Sequence, residues 1–420
     1  MSLAEAIAGY ARRVHGTIGP VHHVASPLGA WLVLALAART ASGPVRADLA
    51  PILGMDPEEA VRFATDLLAD PHPLVRAAAS AWRGPAGRTD RVAAWLRGLP
   101  APVATGDVDR QDTLDRWAAE QTDGLIDRFP VTIDRATMVV LASALATRIN
   151  WRTAFETATA DNLGPHREWR VPEVLRAKRD VAGGHDAAIA RTADAGDVAV
   201  HVADAETGDV DAKGADAKGA DAKGAGAQAE GAGLRVVSVA AAPQVPADTA
   251  LDVAHRIAAT VGQGKPIPDT RSLFDLPLGE APLWILHEER MPSGRQEKHE
   301  VYLPAWTARS DHDLAPPELG LSQAGHELGV MLGEPRPAVQ ARQVAMARFG
   351  RRGFAAAAVS AVMVSRTAVT ERTGKRRIAR LLFAHPYAVV AVATGPGPWA
   401  GLPVFSAWVA EADPDVEAGI

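Results

Sequence analysis

Phe349-Gly350-Arg351-Arg352-Gly353-Phe354, then Ala355-Ala356-Ala357-Ala358-Val359-Ser360-Ala361, closing near His385-Pro386-Tyr387, is the stretch whose reading decides the fold. A glycine is followed by a run of small residues, then by a polar and basic segment, then by a β-rich end. Small side chains beside a glycine let a segment leave one backbone state and enter another at little cost. A segment that slides into a packed sheet needs little volume and few buried polar groups to satisfy. Taken alone, the same residues also suit a buried Ala/Val strand followed by a surface loop.

Composition sets the limits. The chain has 420 residues, 47% hydrophobic and 22% charged, enough for a large core in one domain or in two to three ordinary ones. A net charge of −6 gives no global argument for nucleic acid. Without cysteine there is neither a disulfide nor a thiolate metal site. Met1-Ser2-Leu3-Ala4-Glu5 lacks the basic start of a secretion signal, so a cytoplasmic location is expected, with an unrecognised export route left open. No apolar run reaches the ~18 residues of a membrane span; Ala30 to Ala38 is ended by Arg39.

The first 130 residues read helical. Leu3 to Arg13 is amphipathic, and Pro27 to Ala38 is apolar on nearly every face and should be buried. Asp56-Pro57-Glu58-Glu59 is a helix start in which Asp56 caps, Pro57 suits the first turn and Glu59 reaches back. Leu74 to Trp82, Arg91 to Leu99 and Asp112 to Asp123 are read as further helices. Thr137 to Ile149 leans towards a central strand. Strands are also expected at Val198 to Val202, Leu234 to Val239, Leu283 to His287, His299 to Leu303, Gln343 to Phe349 and Ala388 to Ala393. Helices first and strands after is an α+β pattern. Asp211-Ala212-Lys213-Gly214-Ala215 and its two tandem copies bury too little area to form a core, so about 205–233 is read as a solvated insertion between strands.

Enzyme motifs fail one by one. His22-His23 lacks a third metal ligand, and structural histidines fit better. His287-Glu288 and His326-Glu327 have no second histidine at zinc-protease spacing. Gly262-Gln263-Gly264-Lys265 runs into Pro266 and lacks the first glycine of a phosphate loop. No nucleophile elbow and no convincing carboxylate pair occurs, so neither an enzyme nor a cofactor is expected. Arg366, Arg372, Lys375, Arg376, Arg377 and Arg380 are six basic residues in fifteen. They suit a solvated loop and the outer face of an edge strand. They equally suit bait for a protease with an acidic pocket, and less well a polyanion site, since interleaved aromatics are missing.

Four blocks, in order, resemble the serpin family. Ala25-Ser26-Pro27-Leu28 with Ala41-Ser42-Gly43 is similar to the family's Ser-Pro helix and the turn after it. Leu114 to Gly124, ending Thr122-Asp123-Gly124, resembles the helix closing in Thr-Asn-Gly; at the family's spacing come the long strand and Asn150-Trp151-Arg152-Thr153-Ala154-Phe155-Glu156. Val301-Tyr302-Leu303-Pro304-Ala305-Trp306, with Ser310 to Leu314 and Leu319-Gly320-Leu321, resembles a third block. Phe383-Ala384-His385-Pro386-Tyr387 and the strand Pro403 to Val409 resemble the carboxy-terminal signature. The resemblance covers nearly the whole chain except about 160–282.

It implies a single serpin-like domain over 1–414 with a short tail, 415–420. The expected class is α+β, with a helix-rich N-terminal third, a large central, mostly antiparallel sheet, smaller sheets, and an exposed reactive loop at about 354–380. It implies a monomeric suicide inhibitor of a serine protease, trypsin-like by its basic loop, with no metal, nucleic-acid or membrane partner. The alternative is a non-inhibitory serpin-fold binding or structural protein. Gly353 aligns with the hinge glycine, ahead of Phe354 and Ala355 to Ala358. Counting fourteen residues on puts the specificity residue at Thr367 and a one-residue shift puts it at Arg366, so the reactive bond is expected between Arg366 and Thr367, with Val364, Arg372 and Lys375 left open. Trp151 matches the tryptophan at the top of the central sheet; Ser26, Gly29, Ser143 and Gln343 fall at or near the positions that open to admit the loop. Two departures stand out. Arg351 and Arg352 replace customary acidic residues. Phe354 replaces a small polar residue and is expected to cost about 1–3 kcal/mol of overpacking as it enters the sheet.

Overall fold

The computed structural model describes residues 2–205, 232–354 and 374–416. Helix α1 (Leu3–Ile18) starts at a capping box, Ser2 and Glu5 each accepting from the other's backbone amide. Strand β1 (His23–Ala25) leads to Ser26, whose hydroxyl caps helix α2 (Pro27–Ala38) by accepting from the Gly29 amide. With apolar residues all round, α2 is stable only when surrounded; every residue but Val33 is buried. Helices α3 (Gly43–Leu53) and α4 (Pro57–Ala69) come next. Asp56 does cap α4, but it is the Glu58 amide it accepts from, and Arg46 bridges Asp56 and Glu58.

The segment read as a helix at Leu74 to Trp82 is instead strand β2 (Arg76–Arg83). Its alanines favour a helix locally, yet it pairs on both edges, parallel to β3 (Ala104–Asp107) and antiparallel to β4 (Val139–Ala146), and tertiary pairing outweighs propensity. Between them come helices α5 (Asp90–Arg97) and α6 (Gln111–Gln121). The chain continues through β5 (Ile149–Asn150), β6 (Glu156–Thr159), β7 (Glu173–Lys178), β8 (His185–Thr192), β9 (Gly196–Asp204), β10 (Gly233–Ala240) and α7 (Ala247–Gly262). Beyond these lie β11 (Gly279–Ala281), β12 (Trp284–Met291), β13 (Arg295–Leu303), β14 (Trp306–Asp313), α8 (Leu321–Met331), β15 (Arg342–Phe349) and β16 (Gly353–Phe354). The chain closes with β17 (Gly374–Leu382), β18 (Tyr387–Thr394) and β19 (Pro403–Val409).

The architecture is α+β. One six-stranded sheet runs β1-β19-β18-β10-β9-β8, wholly antiparallel. The repeats at 206–231 lie outside the described residues, but β9 and β10, on either side of them, are adjacent in this sheet. A second six-stranded sheet runs β11-β12-β17-β13-β7-β6, with β13 and β17 parallel. Three smaller units are β3-β2-β4, β14-β15 and β5-β16. The largest core cluster joins α1 and α2 to the inner faces of both large sheets.

Helix α7 packs on β10 and β18 so closely that only glycine fits at 262. A Cβ there would lie 2.5 Å from Val392 Cγ2 and 2.8 Å from Gly401 Cα. Gly262→Ala should therefore lower stability by about 1–3 kcal/mol, read as a lower urea midpoint at unchanged slope. An unchanged midpoint would mean that α7 shifts freely.

Candidate functional site

The site is a gap. Among the described residues no ladder joins β4 to β15, and the two halves, β3-β2-β4 and β14-β15, are separate units. At one end of the gap the chain leaves β15, reverses through Gly350 to Arg352, and returns as β16 antiparallel to β5. Gly353 pairs with Asn150 and Phe354 with Ile149. The first two hinge residues thus already occupy strand positions beside the continuation of β4.

An aromatic cluster holds that reversal. Trp151 donates from Nε1 to the Gly350 carbonyl at 3.0 Å and from its backbone amide to the Arg352 carbonyl. The Phe155 amide donates to the Arg351 carbonyl, and Arg351 Nε donates back to the Phe155 carbonyl at 3.1 Å. Arg351 therefore does here what no carboxylate could: it donates to a main-chain oxygen. Phe349 lies between Trp151 (ring centroids 5.0 Å apart), Phe155 (5.6 Å) and Trp306 (6.0 Å, stacked). Phe354 meets Trp306 edge to face at 6.4 Å and is only 5% exposed. In the uncut chain the cluster provides a seat for the Phe354 ring. Sequence reading found Trp151 and Phe354 but not Phe155, Trp306 and Phe349; the one available signal was the scarcity of aromatics, 5% of the chain.

Further down the gap both halves grip one segment. From β15, Gln343 accepts from the Ser26 amide and donates to the Ser26 carbonyl, both at 2.9 Å. From β4, Ser143 Oγ donates to the Gly29 carbonyl at 2.7 Å. Ser26 Oγ donates to the Val404 carbonyl. Ser26, Gly29, Ser143 and Gln343 are thus brought together, while Trp151 stands at the hinge end. A Cβ on Gly29 would come 3.2 Å from Ser26 Oγ and 3.3 Å from Leu145 Cδ1, so glycine lets β4 close on α2.

The segment after the hinge ends at β17, which is no edge strand. It is bracketed by β12 and β13 over most of its length, which corrects the edge-strand expectation for Lys375 to Arg380. Its basic residues meet carboxylates: Lys375 with Glu288 at 2.9 Å, Arg377 with Glu288 at 3.2 Å, Arg380 with Glu300 at 4.0 Å. Arg377 also donates to the carbonyls of Leu273 and Leu276 and lies over the Phe274 ring. Opposite charge on β12 and β13 answers this part of the basic run, although Lys375 also reaches solvent, so Lys375 to Arg380 is not a free polyanion surface. Ala355 to Ala358, Arg366, Thr367 and Arg372 lie outside the described residues, as does the tail from 417. Among the described residues no group of side chains suits a metal, and no helix is long and apolar enough to cross a membrane.

No protein-family model and no curated protein sequence matches the chain. Solved structures do. A cleaved serpin, Serpin 42Da, superposes with a TM-score of 0.60 at 16% identity, covering 99% of this chain and 98% of that one. The thermophilic serpin tengpin in its native state gives 0.59 at 11%, covering 97% and 92%. A thyroxine-binding globulin in complex with thyroxine gives 0.56 at 10%, covering 97% and 98%. At such identities the likeness speaks for architecture alone, and the architecture is the serpin fold.

Proposed function

We propose that the chain is a serpin-type protease inhibitor, a suicide substrate cut in the segment between β16 and β17. The observation that carries this reading is the open gap with Gly353 and Phe354 already set as the first residues of an added strand. While the chain is intact, residues 355–373 are held at both ends, by β16 in the gap and by β17 inside another sheet. A cut frees one end. The freed alanines, small enough to need no rearrangement of their neighbours, then continue the strand begun at Phe354 between β4 and β15. A protease still bound through an acyl bond travels with them. In this reading the reactive bond is Arg366–Thr367, one residue short of the count from Gly353, and the partner is a serine protease that accepts arginine, hence trypsin-like. Within this reading the protein acts as a monomer without a cofactor and catalyses nothing itself.

A second reading, a non-inhibitory binding or structural protein, draws on the same seat. Phe354 is buried before any cut, and such an anchor restrains the loop at its base. The fold also serves small-molecule binding, as in the thyroxine-binding globulin complex.

Incubation with trypsin should give a covalent complex that survives denaturing electrophoresis. Mass spectrometry of the denatured products should show a fragment starting at Thr367. Cleavage without a complex, and without a rise in melting temperature of the cut protein, would exclude inhibition and insertion together and select the second reading; a rise without a complex would mean that the loop inserts without trapping the protease. Separately, Phe354→Ala should cost about 3–5 kcal/mol of native stability, read from the urea midpoint. A loss below ~1 kcal/mol would show that the ring has no fixed seat.

A further inference from the structure

Four buried imidazoles meet where α1, α7, β1 and β14 converge: His15, His23, His255 and His312. Ring centroids lie 5.0 Å apart for His15 and His23, 5.8 Å for His15 and His255, and 5.9 Å for His23 and His312. Their partners fix where the protons sit. His23 Nδ1 lies 2.8 Å from the Val21 carbonyl, which can only accept, so this nitrogen carries the hydrogen. In neutral His23, Nε2 is then the acceptor, and it lies 2.7 Å from His15 Nδ1, which must donate. His15 Nε2 in turn accepts from the Ser406 hydroxyl at 2.7 Å. The result is a one-way chain from β19 through α1 to β1. His312 Nε2 donates to the Val24 carbonyl at 2.7 Å. Neither nitrogen of His255 has a partner among the described residues.

A proton added to His23 can go only on Nε2, where it faces the His15 N–H at 2.7 Å unless His15 moves its hydrogen to Nε2 and Ser406 turns to accept it. A proton on His15 would oblige Ser406 to turn round, and one on His255 would be a buried charge without a hydrogen bond. The surrounding charges only partly help. Asp311 on β14 favours a charged His312, and Arg342 of β15 holds Asp311 at 2.9 Å. Arg12 on α1, paired with Asp252 on α7, opposes a charged His255; His22, just ahead of β1, opposes a charged His23. Burial, the largest cause, holds His23 and His255 at about 4, His15 well below its ordinary value, and His312 below it too.

The segment carrying His23 is the one that the β14-β15 half grips. Ser310 Oγ accepts from the Val24 amide, His312 bonds the Val24 carbonyl, His22 bonds the Thr307 carbonyl, and Gln343 clasps Ser26. We propose that these four histidines form an acid-sensitive latch: protons entering the cluster break the His15–His23 contact, loosen residues 21–26 from β14-β15 and widen the gap beside β15. The native state binds fewer protons than the unfolded chain, whose histidines titrate near 6.5, so by linkage the latch is intact above about 6.5 and fails progressively as pH falls towards about 4.

Hydrogen exchange on the full chain at pH 7.5 and 5.0, corrected for intrinsic rates, tests this. Peptides covering 21–26, 306–313 and 342–349 should exchange at least about tenfold faster at pH 5.0, the fold-change of a ~1.4 kcal/mol loosening, while β2, paired on both edges and without a histidine, holds. The double variant His15→Gln, His255→Leu should at least halve that acceleration. Equal exchange at both pH values, an equal rise in β2, or an undiminished rise in the double variant would each overturn the latch. Should that variant not fold, imidazole NMR titration of the wild type decides. Titration of His15 or His23 in the folded protein at or above ~6.5 refutes it, and titration below that, in step with faster exchange at 21–26, supports it.

Discussion

Among the described residues the units β3-β2-β4 and β14-β15 share no ladder, and both are held to a third element. Gln343 on β15 and Ser143 on β4 both bond the turn that begins α2, and through it the halves keep their distance. This constraint explains much of the remainder. Ser26 has to cap α2, bond Val404 and offer both backbone groups to Gln343, so a small residue with a hydroxyl is needed. Residue 29 has to be small as well, because β4 comes within contact there. An all-apolar α2 gives the turn a rigid base, packed as it is beneath both halves.

Among the described residues β4 and β15 share no ladder, and main-chain groups left without partners cost free energy wherever water is excluded. The aromatic cluster at the hinge offsets part of that cost at one end only. Phe354 buries its ring against Trp306; Trp151, Phe155 and Phe349 pack around the reversal, and Gly353 and Phe354 pair with β5. The four residues after Phe354 are all alanine.

Much of this was legible in the sequence, for reasons that are local. Pro27 to Ala38 could be nothing but a buried helix, and Gln343 to Phe349 alternates as a half-buried strand should. Ser26, Ser143 and Gln343 were found through a family likeness, and they do converge. The features that stayed hidden depend on residues far apart in the chain. Alanine-rich 76–82 becomes a strand only because β3 and β4 flank it, and β17 lies inside its sheet only because β12 brings Glu288 against Lys375 and Arg377. Trp306 and Phe349 face each other across one ladder, and Phe155 joins them from a different segment, a meeting that no spacing announces. The histidine cluster draws on four elements, of which only His22-His23 was conspicuous in sequence.

Strand β17 also governs how the molecule responds to a break in its chain. From Gly374 onward the chain supplies an internal strand to one large sheet and, as β18 and β19, two internal strands to the other. A nick anywhere in 355–373 would sever the polypeptide without dividing the particle. The two pieces would co-migrate through any native separation and part only in denaturant, so a nicked population would pass for intact material by size alone.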